Sequence, residues 1–256
     1  VTKPYEKLKV PSLVLAGDVP FEQPKHRQIP YTLKEVLDSV EGIPQISGVK
    51  IGVLTTDADF SLRQVCDYIH DRGLLVVHDM QKMGRDVSTP IVASQAELFA
   101  SVADFVIVDP KKVEHWRAAY DVVERAGKGL ITVLYMTDEG KDMTPGRHMT
   151  MLEICHDVKT SGRKLEGVVL PANNPEVTKF ARHSLAYFDI APTVFSPGIG
   201  AQGGESEVAA MAGSDIGIVG RAVLEAEDKR KAAEEIVAAL ERGYGKRPLI
   251  KSITTV

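Results

Sequence analysis

The chain has 256 residues, 44% of them hydrophobic and 26% charged, with a formal net charge of −4. This is the composition of a globular protein able to bury a sizeable core, and one α/β barrel of about 250 residues fits it without a linker. The charge excludes a field that draws in nucleic acid or anionic lipid wholesale, so any bound anion must be held by local groups.

Neither a secretory leader nor an apolar run of membrane-spanning length is evident. The two cysteines, Cys66 and Cys155, fall in segments that read as helices, so a reducing cytoplasm is the expected location, with no membrane and no nucleic acid as partner.

From the amino end, short apolar runs alternate with longer amphipathic ones. Residues 13–17 read as a strand that ends at Asp18, followed by an unusually long loop over 19–30 with prolines at 20, 24 and 30. A second strand over 49–53 carries Lys50 and precedes a helical segment over 59–72. The third, 74–78, runs into a charged stretch and then a helix over 90–101. Strands over 104–108, 130–134, 167–170, 192–195 and 216–219 follow. The helices read between and after them cover 113–126, 148–161, 175–184 and 228–242, and 246–256 forms a basic, then polar tail. Several helices start with a cap residue or a first-turn proline.

Eight short runs that are apolar on both faces, alternating with helices, imply parallel β-α-β units. The natural closure is a single (β/α)8 barrel domain over 1–256, with an open doubly wound sheet as the competitor.

Residues 196–204, SPGIGAQGG, contain Gly198-x-Gly200-x-x-Gly203, a spacing that also marks dinucleotide-binding turns. A dinucleotide turn belongs in the first β-α unit, with an acidic residue ending the next strand. Here the pattern follows the seventh strand, and the next strand ends at Val219-Gly220-Arg221. The barrel explains these residues better, because the loops after strands seven and eight of such barrels frequently hold a phosphate. Arg221 offers two N–H donors to a dianion and Gln202 an amide donor. A tight turn with a surface arginine is the plain alternative.

Chemistry is then expected from the carboxyl ends of the other strands. Lys50 lies inside an otherwise apolar strand, where a lysine is expensive to bury unless paired, and Asp79 is the obvious partner. His78, one residue earlier, points to the opposite face. The seven histidines are scattered with no metal-ligand spacing, and no serine sits in a nucleophile elbow, so neither a metal nor a covalent intermediate is indicated. No cofactor is expected.

The segments FSPGIGAQGG at 195–204, IGIVGR at 216–221, AED at 226–228, VKIG at 49–52 and LAGD at 15–18 resemble the orotidine 5′-phosphate decarboxylase family, particularly its archaeal members. The likeness is most specific over the last third of the chain. It implies a homodimeric, cofactor-free (β/α)8 barrel that converts orotidine monophosphate, the nucleotide substrate, to uridine monophosphate.

Carried over by resemblance, Asp18 contacts the ribose, Lys50 bridges a ribose hydroxyl and Asp79, and Gln202, Gly220 and Arg221 hold the 5′-phosphate. Thr89, Met136, Thr137 and Pro197 line the base and phosphate. Asp79 opens the family's catalytic D-x-K-x-x-D, but without gaps Gln81 falls on the lysine and Gly84 on the second aspartate. The order returns only as Asp79-x-x-Lys82-x-x-x-Asp86. A one-residue displacement along a strand turns a side chain to the other face, so either Gln81 or Lys82 faces the mouth unless a bulge intervenes. With Lys82 and Asp86 catalytic, Asp86 reaches across the dimer interface into the neighbouring site. The alternatives are a homologue with changed chemistry, such as a hexulose-phosphate-synthase-like lyase, and a non-catalytic protein that kept the phosphate cup.

Overall fold

The computed structural model describes residues 2–17, 31–52, 61–79, 83–85, 88–136, 143–200 and 205–248. Its elements in chain order are α1 (Pro4–Lys7), β1 (Ser12–Ala16), α2 (Tyr31–Ser39), β2 (Ile46–Ile51), α3 (Leu62–His70), β3 (Leu75–Asp79), α4 (Thr89–Ala100), β4 (Phe105–Val108), α5 (Val113–Arg125) and β5 (Gly129–Val133). They continue as α6 (Pro145–Ser161), β6 (Gly167–Val169), α7 (Pro175–Tyr187), β7 (Thr193–Pro197), α8 (Ser206–Ala212), β8 (Ile216–Val219), α9 (Arg221–Leu224) and α10 (Lys229–Gly245). The eight strands form one closed barrel in sequence order, and β8 pairs in parallel with β1. The open sheet is thereby excluded, and the expected (β/α)8 barrel stands.

Alternation along each strand divides the apolar side chains between two layers. Leu75, Val77, Phe105 and Ile107 point into the barrel, where they meet Val14, Ile131, Val133, Val169, Phe195, Ile216 and Ile218. Val106 and Val108 point outward beneath the helices, packed with Trp116, Met151 and Ile154. Each strand is therefore apolar on both sides, which is why the sequence shows runs rather than an apolar–polar alternation.

Helix starts are set locally. Ser61 and Gln64 form a reciprocal capping box at α3, Thr144 caps α6 ahead of Pro145, and Asp228 accepts the Lys231 N–H at 2.9 Å ahead of α10. Each satisfies N–H groups that the first helical turn leaves open. Compared with the sequence reading, α3 is shorter, starting after Ser61, while α6 begins three residues earlier because Pro145 starts it. The short helices α1, α2, α8 and α9 add to those read from periodicity.

The amino end of the barrel is closed by α1. The Tyr5 hydroxyl donates to the Leu130 carbonyl at 2.6 Å, and its ring meets Phe105 edge-on at 4.9 Å. A Cβ at residue 167 would lie 2.2 Å from the Tyr5 hydroxyl, so β6 begins with glycine where the tyrosine lies across it. At this end Asp104, just before β4, accepts the Val76 N–H of β3 at 2.9 Å and meets His70 Nε2 at 2.8 Å. Four strands on, Asp215 accepts the Val194 N–H of β7 at 2.8 Å and pairs with Arg247 at 2.6 Å. Both aspartates fasten a strand to its predecessor. No helix among the described residues is long and apolar enough to cross a membrane.

Candidate active site

The carboxyl ends of the strands form the other mouth. Lys50 sits beside Val77 in the β2–β3 register, so Asp79, two residues further along β3, faces the same way. The Lys50 ammonium donates to Asp79 Oδ2 at 2.9 Å, and the two side chains are only 11% and 14% exposed. The lysine tolerates burial because it is paired with a carboxylate directly above the apolar barrel interior. His78 alternates outward, where its ring stacks on Phe99 of α4 with centroids 3.8 Å apart.

The loops after β7 and β8 lie against each other at this mouth. Pro197 ends β7 beside Ile218 of β8. Gly198 and Gly200 have φ of 96° and 75°, a region costly for other residues. A Cβ at residue 200 would also lie 2.6 Å from the Ala222 Cβ in α9. Gly220 precedes α9, and its carbonyl accepts from Val223 at 2.9 Å and Leu224 at 3.0 Å. Arg221, the first residue of α9, is exposed.

Thr89 opens α4, and Met136, three residues past β5, packs partly against the barrel interior. Thus Lys50, Asp79, Thr89, Met136, Pro197, Gly220 and Arg221 all belong to one end of the barrel. Asp18, Gln81, Lys82, Asp86, Thr137 and Gln202 lie outside the described residues, as do the whole of the 19–30 loop and the last eight residues of the tail. Among the described residues no group of three or more His, Cys, Asp or Glu side chains is placed to hold a metal ion.

Sequence reasoning passed over Asp109. It follows β4 directly and is 3% exposed, and its carboxylate is bound by two arginines, Arg85 from the segment after β3 and Arg147 from the first turn of α6. Arg147 adds a second contact, Nη2 to Oδ2 at 3.2 Å. The signal was available, because Asp109 ends an apolar strand just as Asp18 and Asp79 do.

A closed (β/α)8 barrel with a buried lysine–aspartate pair at its carboxyl-end mouth has the layout of a barrel enzyme, whose working face is that end. The chain belongs to the orotidine 5′-phosphate decarboxylase / HUMPS family, whose profile matches residues 11–236, and is a carbon–carbon lyase. It is 30% identical over 165 residues to orotidine 5′-phosphate decarboxylase of Pyrococcus abyssi, covering 64% of this chain and 73% of that protein. With the enzyme of the same name from Thermococcus kodakarensis it shares 26% identity over 228 residues, 88% of this chain and 94% of the other. The crystal structure of orotidine 5′-phosphate decarboxylase from Pyrococcus horikoshii matches with a TM-score of 0.64 at 25% identity, covering 90% of this chain and 99% of that one. Agreement in fold extends to the enzyme from Methanocaldococcus jannaschii, with a TM-score of 0.67 at 22% identity over 91% of this chain and 99% of that one.

Proposed function

We propose that this chain decarboxylates orotidine 5′-monophosphate to uridine 5′-monophosphate. The bond between C6 and the carboxylate breaks, carbon dioxide leaves, and the electron pair remains at C6 until a proton from the Lys82 ammonium replaces it. Lys50, Asp79, Lys82 and Asp86 form a row of alternating charge. Asp79 disfavours the substrate carboxylate beside it, and the lysine favours the developing carbanion.

Arg221, Gln202 and the Gly220 backbone hold the phosphate, with Pro197 at the base of their loop. Asp18 and Lys50 meet the ribose, and Thr89, Met136 and Thr137 bound the pyrimidine. Binding energy from the distant phosphate contributes to ordering the reacting centre and excluding water. No cofactor takes part in this scheme.

The observation that carries this reading is the Lys50–Asp79 pair, 2.9 Å across neighbouring strands, at the barrel end that also bears the glycine loop and Arg221. The proposal extends to a homodimer in which Asp86 serves the partner's site. Its support is a pair of exposed apolar side chains on α4, Ile91 at 46% and Leu98 at 61% exposure, seven residues apart on one helix face.

The test is an ultraviolet assay of the unmodified protein and of Lys82→Ala with orotidine monophosphate. Turnover that Lys82→Ala abolishes is expected; no turnover by the unmodified protein overturns the reading.

A further inference from the structure

The segment between Lys82 and Asp86 is fastened to β4 and α5 by contacts that neither the family's motif nor the strand pattern contains. Met83 is 1% exposed, and its carbonyl accepts the Asp109 N–H at 2.8 Å. The Gly84 carbonyl accepts from the Lys111 N–H at 3.3 Å and from His115 Nδ1 at 2.6 Å. Since a carbonyl only accepts, Nδ1 carries the hydrogen. Gly84 has φ of 92°, and a Cβ there would lie 2.7 Å from Val108 Cγ2 and 2.8 Å from the Asp109 carbonyl. Arg85 then pairs with the Asp109 carboxylate, which Arg147 also binds. Three consecutive residues are thus fixed by their backbone, by a close approach that admits only glycine, and by an ion pair.

We infer that Asp109 and His115 are positioning residues: they clamp residues 83–85 against the end of β4 and thereby set the aim of the two chain neighbours, Lys82 and Asp86. The inference rests on the proposed role of Lys82 and Asp86 in decarboxylation. It also accounts for the altered motif. Extra residues between Asp79 and Asp86 would leave a longer, looser connection, and the clamp removes that freedom. A catalytic group displaced by about 1 Å loses on the order of 100-fold in rate, so anchoring worth little to global stability is worth much to kcat.

The variants are His115→Ala, which deletes the donor to Gly84, His115→Asn, whose amide places an N–H close to the position of Nδ1, and Arg85→Ala. Each is assayed with orotidine monophosphate well below its melting midpoint. In His115→Ala, kcat is expected to fall by about 10- to 100-fold with KM changed by less than about threefold, and His115→Asn should recover most of the loss. Arg85→Ala, truncating a half-exposed side chain, should shift kcat in the same direction and carries the test if His115→Ala does not fold.

Unchanged kcat in both truncations, or an equal loss in His115→Asn and His115→Ala, overturns the inference. If the unmodified protein shows no turnover, the decarboxylase reading falls separately. The clamp is then judged by hydrogen exchange of the amides of residues 83–86, which should quicken at least about tenfold in His115→Ala and not in His115→Asn; unchanged exchange overturns it.

Discussion

Lys50 and Asp79 meet at 2.9 Å from adjacent strands, offset by two residues in the register so that both face the barrel axis. Neither is satisfied by water alone, being almost wholly enclosed, so each makes burial of the other tolerable. Replacing Lys50 with Met strands the carboxylate in an apolar wall. Such a change costs about 3–5 kcal/mol when a buried pair is broken, which denaturant titration would show. Decarboxylation should fall by about 100-fold or more through loss of the charge row. The double variant Lys50→Met/Asp79→Leu should regain stability without regaining activity, separating the two roles.

Arg221 is expected to act on substrate affinity. Losing one charge-assisted phosphate contact is worth about 1.5–3 kcal/mol, so Arg221→Ala should raise KM for the nucleotide by roughly 10- to 150-fold. The dephosphorylated nucleoside, a poorer substrate from the outset, should be indifferent to the substitution. Gly200→Ala should mimic part of the effect, because its new methyl would lie 2.6 Å from Ala222 and force the two loops apart.

Assembly offers a separate check. Ile91→Asp/Leu98→Asp places two carboxylates on the exposed face of α4. Sedimentation should show monomers, and activity should vanish with the dimer if Asp86 serves the neighbouring site. A fully active monomer would refute the shared site.

Acid stability should depend on Asp104. Burial raises its pKa, but the Val76 N–H, His70 and Lys128 outweigh burial and hold the carboxyl below its usual value of 3.8. A carboxyl lowered in the folded state stabilises the protein above its unfolded pKa, and the contribution disappears as pH falls through the folded value. Asp104→Asn should therefore be less stable than the parent at neutral pH, and the gap should close below about pH 4.

The thiols should be inert in the native protein. Burial pushes Cys66 and Cys155 each up to about 12, so almost no thiolate exists at neutral pH and reagents reach neither. A colorimetric thiol titration should count no reactive cysteine until denaturant is added, and both thereafter.

Much of the barrel was legible because its information is local. Eight runs rich in Val, Ile, Leu and Phe, several of them closed by Asp or Ser, mark strands wherever the fold brings them together. The Lys50–Asp79 pair was legible for a related reason, since an isolated charge in an apolar run demands a partner. The Tyr5 contact with Leu130 was not, because nothing near either residue announces a neighbour 125 positions away. Nor was the contact of Arg147 with Asp109, for that partner lies 38 residues earlier. The boundaries of α3 and α6 moved because Ser61 and Pro145 decide where a helix can begin, whereas apolar periodicity ran on past the first and stopped short of the second.

The Tyr5 contacts at the foot of the barrel bear on traffic. Above that aromatic ring the barrel is filled by packed side chains, so arrivals and departures share a single doorway at the opposite mouth. An incoming nucleotide must wait for the outgoing one, so the product should compete with substrate for entry, and crowding of the rim loops should slow both directions alike.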